Sequence, residues 1–195
     1  TADVALAEYI QQHTNCRIYF PGYPKNKAPE HIIPIDEKKM YEVMPKAQPG
    51  SILIIDDASR FTGFSSLRYM STEALTGENW VNQLAHQGIR VFINVQDSSD
   101  LHKAGLRADV LVFKPPERMF EGSERKAMRP LIRETVEQFK RLPESQHVSH
   151  AWLFKDPDHK TMIKYNRPEW LTTLNAKYRG DAFNKRGDER NGRTV

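Results

Sequence analysis

Short unbroken apolar runs alternate along this chain with longer stretches in which apolar residues recur every three or four positions. The clearest run is Ser51 to Ile55, followed at once by Asp56, Asp57 and Ala58. A β-branched and aliphatic run without polar alternation predicts a strand covered on both faces, as in a parallel α/β sheet. Arg90 to Val95 predicts a second such strand, followed by Gln96, and Asp109 to Phe113 a third, stopped by Lys114-Pro115-Pro116. Arg17 to Phe20, ending at Pro21-Gly22-Tyr23-Pro24, and His31 to Ile35 are shorter strand candidates.

The spacing predicts helices between them. Val4, Ala5, Leu6, Tyr9 and Ile10 form an apolar stripe over residues 2–12, with Thr1 in the capping position. Asp36 caps a helix from Glu37 to Met44, and Gly88 ends one that runs from Glu73 to His86. A long polar helix spans Glu124 to Arg141, with Leu131, Ile132, Thr135, Val136 and Phe139 on its buried face and Pro130 disturbing its first part. Ala151 to Phe154 and Thr161 to Tyr165 flank Asp156-Pro157-Asp158-His159, which predicts a β-hairpin on an edge of the sheet. Arg167-Pro168-Glu169-Trp170 opens a short helix to about Tyr178. The polar, small and aromatic stretch from Ser59 to Ser66 predicts a mobile loop, and the basic tail over 179–195 a flexible one. The expected organisation is one α/β core over 1–178 followed by that tail.

A chain of 195 residues is long enough for one α/β domain with a real core. It has no apolar run of membrane-spanning length and no opening signal peptide, and its one cysteine, Cys16, excludes an intrachain disulfide. These features fit a reducing, cytoplasmic setting. A net charge of +4 permits a polyanion partner such as DNA without demanding one. His86, His102, His147, His150 and His159 show no ligand spacing that suggests zinc. Cys16 reads as an inert thiol at a strand start, and Trp152, Phe154 and Trp170 as packing anchors. Lys25, Lys27, Lys38, Lys39 and Lys46 read either as a solvated face or as the lining of a DNA channel.

Chemistry concentrates at the strand ends. Charges cannot remain inside a doubly covered strand, so Asp56 and Asp57 must emerge at its carboxyl edge, where open α/β sheets bind ligands. A carboxylate pair there suits a Mg²⁺ ion and an activated water; read alone, it equally suits a strand that stops at a polar turn. The second strand carries Gln96 and the third is preceded by Arg107. A metal carboxylate, a polar group near the γ-phosphate and a positive charge for the transition state are the parts phosphoryl transfer uses. Arg107 equally suits a simple pairing with Asp109.

Over roughly Thr1 to Tyr178 the sequence resembles the HerA–FtsK superfamily of P-loop ATPases, most of all its virus and mobile-element branch that packages or moves DNA. The resemblance rests on the strand ending in Asp56-Asp57, the strand Val91 to Val95 ending in Gln96, and the stretch Leu106-Arg107-Ala108-Asp109-Val110-Leu111-Val112-Phe113-Lys114. Asn166-Arg167-Pro168-Glu169-Trp170 with Tyr178-Arg179 is similar to that branch's C-terminal signature. It implies a RecA-like three-layer sandwich with a mostly parallel sheet, and ATP and Mg²⁺ as cofactors. Double-stranded DNA as partner and a homo-oligomeric ring follow from the same likeness. Asp56 would hold Mg²⁺ through water. Asp57 would orient the attacking water, in place of the family's usual glutamate. Gln96 would sense the γ-phosphate, and Arg107 would act as a finger across a subunit boundary, with Arg60 and Arg68 as competitors. The family often carries an arginine just before the Gln strand, where this chain has Ala85-His86.

No G-x-x-x-x-G-K-[ST] phosphate loop occurs in the 195 residues. Thr1 heads a helix where that loop's final Thr would lie, and the expectation is that the sequence begins just after the loop and its strand. The sheet would then present open edges and an apolar slot. Three functions follow: an ATP-driven DNA translocase or packaging motor, a Mg²⁺-dependent nuclease using Asp56, Asp57, Asp109 and Lys114, or a non-catalytic assembly module. In a motor Asp109 would lie remote from the aspartate pair.

Overall fold

A computed structural model describes residues 2–56, 58, 72–95, 108–115, 126–166 and 168–171, with backbone only over 72–78. Helix α1 (Ala2–Thr14) precedes strand β1 (Ile18–Pro21); β2 (Ile32–Ile35), a short helix α2 (Met40–Val43), β3 (Ile52–Ile55), α3 (Thr72–His86) and β4 (Arg90–Ile93) follow. The four strands form a parallel sheet in the order β2-β1-β3-β4, with Ile55 level with Ile93 across the last pair.

The β3 run is covered on both sides, as its composition requires. Ile52, Leu53, Ile54 and Ile55 are all fully buried. Alternation along the strand sends Ile52 and Ile54 to one face, where they meet Val4 and Ala7 of α1, Ile18, Phe20 and Leu171. Leu53 and Ile55 go to the other face with Met40, Met44, Trp80 and Leu84 from the α2 segment and α3. The result is a helix–sheet–helix sandwich, the three layers expected. Each of those four aliphatic side chains contributes roughly 1.5–3 kcal/mol through burial. Among the described residues β2 and β4 are the two edges, and Val91, Phe92 and Ile93 of β4 are only half-buried.

The helices end as their sequences direct. Gly88 adopts φ +74° just past α3; its N–H bonds Ala85 O and the Ile89 N–H bonds Leu84 O, with Leu84 and Ile89 packed together in the core. Asn15, at φ 52°, closes α1 through a bond from its N–H to Gln11 O. The segment after Asp36 is not the continuous helix expected over Glu37 to Met44. It is a helical turn at Glu37–Lys39, α2, and another tight turn at Met44–Lys46, where Pro45 removes a backbone donor. Asp36 does cap it, accepting from Lys38 N–H at 2.9 Å.

A second sheet lies beyond. Strands β5 (Leu111–Phe113), β6 (His150–Asp156) and β7 (His159–Lys164) are antiparallel in that order. The expected hairpin is thus present, but it carries β5 in its own sheet instead of edging the parallel one. The expected third buried strand, likewise, is one-sided: Val110 is 41% and Val112 36% exposed. Helix α4 (Arg129–Lys140) starts with Pro130 in its first turn, where no backbone donor is needed, so the proline opens the helix and does not disturb it. Ile132, Thr135 and Phe139 are its buried residues. A one-turn helix, α5 (Glu144–His147), leads into β6. The two sheets meet through α1, whose Ala2 and Ala5 pack on Ala151, Ile163 and Tyr165.

Candidate functional site at the carboxyl edge of the parallel sheet

Parallel strands bring their carboxyl ends to one side of the molecule. There β3 stops after Ile55 and the chain bends at Asp56, whose carboxylate is exposed. One position beyond Ile93, on the adjacent strand, stands Asn94. Its side-chain amide donates to Asp56 Oδ1 at 2.7 Å. Its backbone joins the same two strands: Asn94 N–H bonds Ile55 O, and Ala58 N–H bonds Asn94 O, both at 2.9 Å. Asn94 therefore fixes one carboxylate oxygen and the backbone on either side of Asp56. The second oxygen of that carboxylate remains able to accept from a hydrated cation.

Helix α1 runs back across the sheet before entering β1 through a three-residue link, so its amino end lies on the same side as Asp56. A helix amino end presents unpaired backbone N–H groups and about half a positive charge to an anion. A carboxylate and a helix amino end on one edge form the two halves of a site for a phosphate with its counter-cation. Mg²⁺ keeps several waters and is held by one or two carboxylates plus phosphate oxygens. Asp56, with one oxygen anchored and the other open, fits that role.

Of the residues predicted from sequence, Asp56 is at this edge. Asp57, Gln96, Arg107 and Thr1 lie outside the described residues, as do Arg60 and Arg68. Asp109 lies exposed just before β5, in the antiparallel sheet. Lys114, also expected near a nuclease metal, stands over the Tyr165 ring at 4.3 Å from its centre. Among the described residues no three His, Cys, Asp or Glu side chains gather as a metal cluster.

Asn94 escaped the sequence reading because the second strand was drawn through Val95 to Gln96. In the structure β4 ends at Ile93, which turns Asn94 into the strand-end residue. Ile55-Asp56 and Ile93-Asn94 each interrupt an apolar run with a polar residue, but Val95 follows Asn94, so the sequence does not by itself mark Asn94 as the strand end.

No protein-family model matches the chain, and a comparison with curated proteins finds no match. Solved structures do match. The DNA-packaging ATPase B204 from Sulfolobus turreted icosahedral virus aligns over 85% of this chain and 90% of its own, with a TM-score of 0.60 and 14% identity. The genome packaging NTPase B204 from Sulfolobus turreted icosahedral virus 2, in complex with AMPPCP, aligns over 83% of this chain and 88% of its own, with a TM-score of 0.57 and 16% identity. In complex with ATP-gammaS the same NTPase gives a TM-score of 0.54 at 15% identity, over 83% of this chain and 86% of that one. At these identities the likeness shows a shared fold. The chain shares the α/β fold of these packaging NTPases, with a parallel sheet between helices, as expected.

Proposed function

We propose that this chain is the ATPase core of a motor that drives double-stranded DNA, as in genome packaging. The observation that carries the proposal is Asp56, held by Asn94 at the carboxyl edge of a parallel sheet whose fold is that of packaging ATPases. In this reading ATP binds along that edge, with its phosphates toward the amino end of α1. Asp56 would hold the hydration shell of Mg²⁺, with one of its carboxylate oxygens anchored by Asn94. Asp57 orients the attacking water, Gln96 reads the γ-phosphate, and Arg107 reaches the pocket of a neighbouring subunit in a ring. Mg²⁺ held there would offset the charge that builds on the transferring phosphoryl group.

DNA contact draws support from Lys25, Lys27, Lys38 and Lys39, all exposed in the segments that leave the carboxyl ends of β1 and β2. Phosphate contacts of this sort are blind to sequence and weaken as salt rises.

ATP hydrolysis by the full-length gene product, with and without double-stranded DNA, tests the proposal. Asp56→Asn is expected to abolish turnover. Asn94→Ala is expected to weaken apparent Mg²⁺ affinity roughly 10–100-fold, the cost of losing a group that orients a metal ligand. Wild-type turnover in Asp56→Asn, or no nucleotide binding by the parent, would refute it.

A further inference from the structure

At the opposite, amino end of the parallel sheet lies a cavity of about 390 Å³. Its walls come from the end of α1 and the entry to β1 (Thr14, Asn15, Cys16, Arg17), the turn before β3 (Gln48 and Gly50 among others) and the first residue of β4 (Arg90). Two of the lining residues are arginines and none is acidic. We propose that this cavity is a binding site for a small phosphate-type oxyanion, gripped by the guanidinium groups of Arg17 and Arg90.

The local hydrogen bonding leaves those guanidinium groups as the main donors. Gly50 N–H is spent on Gly88 O, and Ser51 N–H on Gln48 O. The Thr14 hydroxyl donates to Ile10 O at 2.7 Å. Arg90 uses one nitrogen, Nη1, on Gly50 O at 3.0 Å, which fixes the direction of the side chain and leaves other N–H groups for a ligand. Arg17 is tied through its backbone, whose carbonyl accepts from Ile52 N–H, and its side chain is exposed. The amides of Asn15 and Gln48 add neutral donors on the rim.

Two helices also end on this side, and helix carboxyl ends repel anions. That effect is the smaller one. Each end carries about half a negative charge, screened within a turn, against a full charge on each arginine. The ends are also closed: Asn15 N–H caps α1, and Gly88 and Ile89 N–H groups cap α3. Each guanidinium is planar and can bond two oxygens of a phosphate at once.

Cys16 makes the test direct, because it lines the cavity and is the only cysteine in the sequence. Its alkylation by iodoacetamide is a single-site reporter of occupancy. Inorganic phosphate, titrated into the full chain at constant ionic strength, is expected to slow that reaction to a saturating limit. Arg17→Gln is expected to raise the half-protecting concentration roughly tenfold or more, as the loss of charge-assisted bonds implies. Arg90→Gln should act alike, and Arg17→Gln alone decides the matter if the loss of the Gly50 contact unfolds the other variant. A second arm replaces phosphate with a DNA duplex, which separates a free phosphate from a backbone phosphodiester. The proposal is overturned if phosphate gives no protection, if chloride protects equally, if Arg17→Gln leaves the titration unchanged, or if only the duplex protects.

Discussion

The two sheets of this protein are built from similar-looking apolar segments and do different things with them. In the parallel sheet, β3 is buried on both faces, so all of its polar partners are pushed to its ends. In the antiparallel sheet β7 interleaves exposed with partly covered positions, and Val112 of β5, like Val110 just before it, is exposed. The connection rules explain the divergence. Parallel neighbours need crossovers, and the crossovers cover both faces while gathering every carboxyl end on one side. Antiparallel neighbours need only a turn, leave one face wet and scatter their ends. The candidate site residues Asp56 and Asn94 accordingly stand at the edge of the first sheet.

The largest expected effect sets the two sheets against each other directly. Leu53→Ala removes a fully buried side chain packed between α2 and α3 and should cost about 2–5 kcal/mol of unfolding free energy. Val112→Ala, in β5 with its side chain partly in water, should change stability by no more than about 0.5 kcal/mol. Urea denaturation of the two variants measures both. Equal losses would mean that the second sheet is as tightly packed as the first, and the contrast would fail.

The same contrast decides which parts of the structure were legible in the sequence. Ser51 to Ile55 was legible because four consecutive aliphatic residues have no solvent-facing position to offer. The run Val110-Leu111-Val112-Phe113 has the same composition and the opposite environment; periodicity cannot separate a strand sandwiched by helices from a short strand whose valines face water. That ambiguity placed β5, and with it the hairpin, in the wrong sheet. Pro130 was misread for a related reason: its effect depends on whether a helix has already begun, and helix starts are weakly marked when no Ser, Thr, Asp or Asn cap precedes them. At the candidate site Asp56 was legible as a charge that a buried strand must eject. Asn94 was not, because a neutral amide can end a strand or continue it, and only the β3–β4 register puts it opposite Asp56.

A second, smaller effect concerns how the chain returns from the antiparallel sheet to the parallel one. After β7 the chain comes back to α1, where Trp170 Nε1 donates to Glu8 Oε1 at 2.7 Å and packs edge-on against Tyr23 at 5.4 Å between ring centres. His31 Nε2 approaches the same carboxylate oxygen at 2.8 Å, and since a carboxylate only accepts, that nitrogen carries the proton. One acceptor thus joins α1, the segment before β2 and residues 168–171. Glu8→Ala leaves the indole and imidazole donors without their partner in a half-buried setting, a loss of about 1–3 kcal/mol. Glu8→Gln keeps an acceptor oxygen and should lose less. Thermal unfolding ranks the variants, and Trp170→Phe in the Glu8→Ala background should add little further loss if the two act together. Additive losses would show that the segment is held by packing alone.

The smallest effect belongs to the antiparallel sheet's own turn. Asp156 Oδ1 accepts from the Asp158 and His159 backbone N–H groups at 3.0 and 2.9 Å and from the His159 ring at 2.7 Å. The bond from the His159 ring is the main reason its carboxyl titrates below the ordinary carboxylate value, with desolvation opposing and the backbone N–H groups assisting. A carboxyl whose value is lowered by folding stabilises the folded form above its unfolded value of about 3.9, and that contribution fades as pH falls through the lower, folded value. Because Asp158 and His159 are exposed and Asp156 is partly so, the effect is local. Asp156→Ala should speed amide exchange at Asp158 and His159 while leaving the global unfolding midpoint unchanged, and the difference from the parent should close as the pH drops through the folded value of Asp156. A lowered global midpoint would show instead that the turn organises the β6–β7 hairpin as a unit, making the second sheet as cooperative as the first.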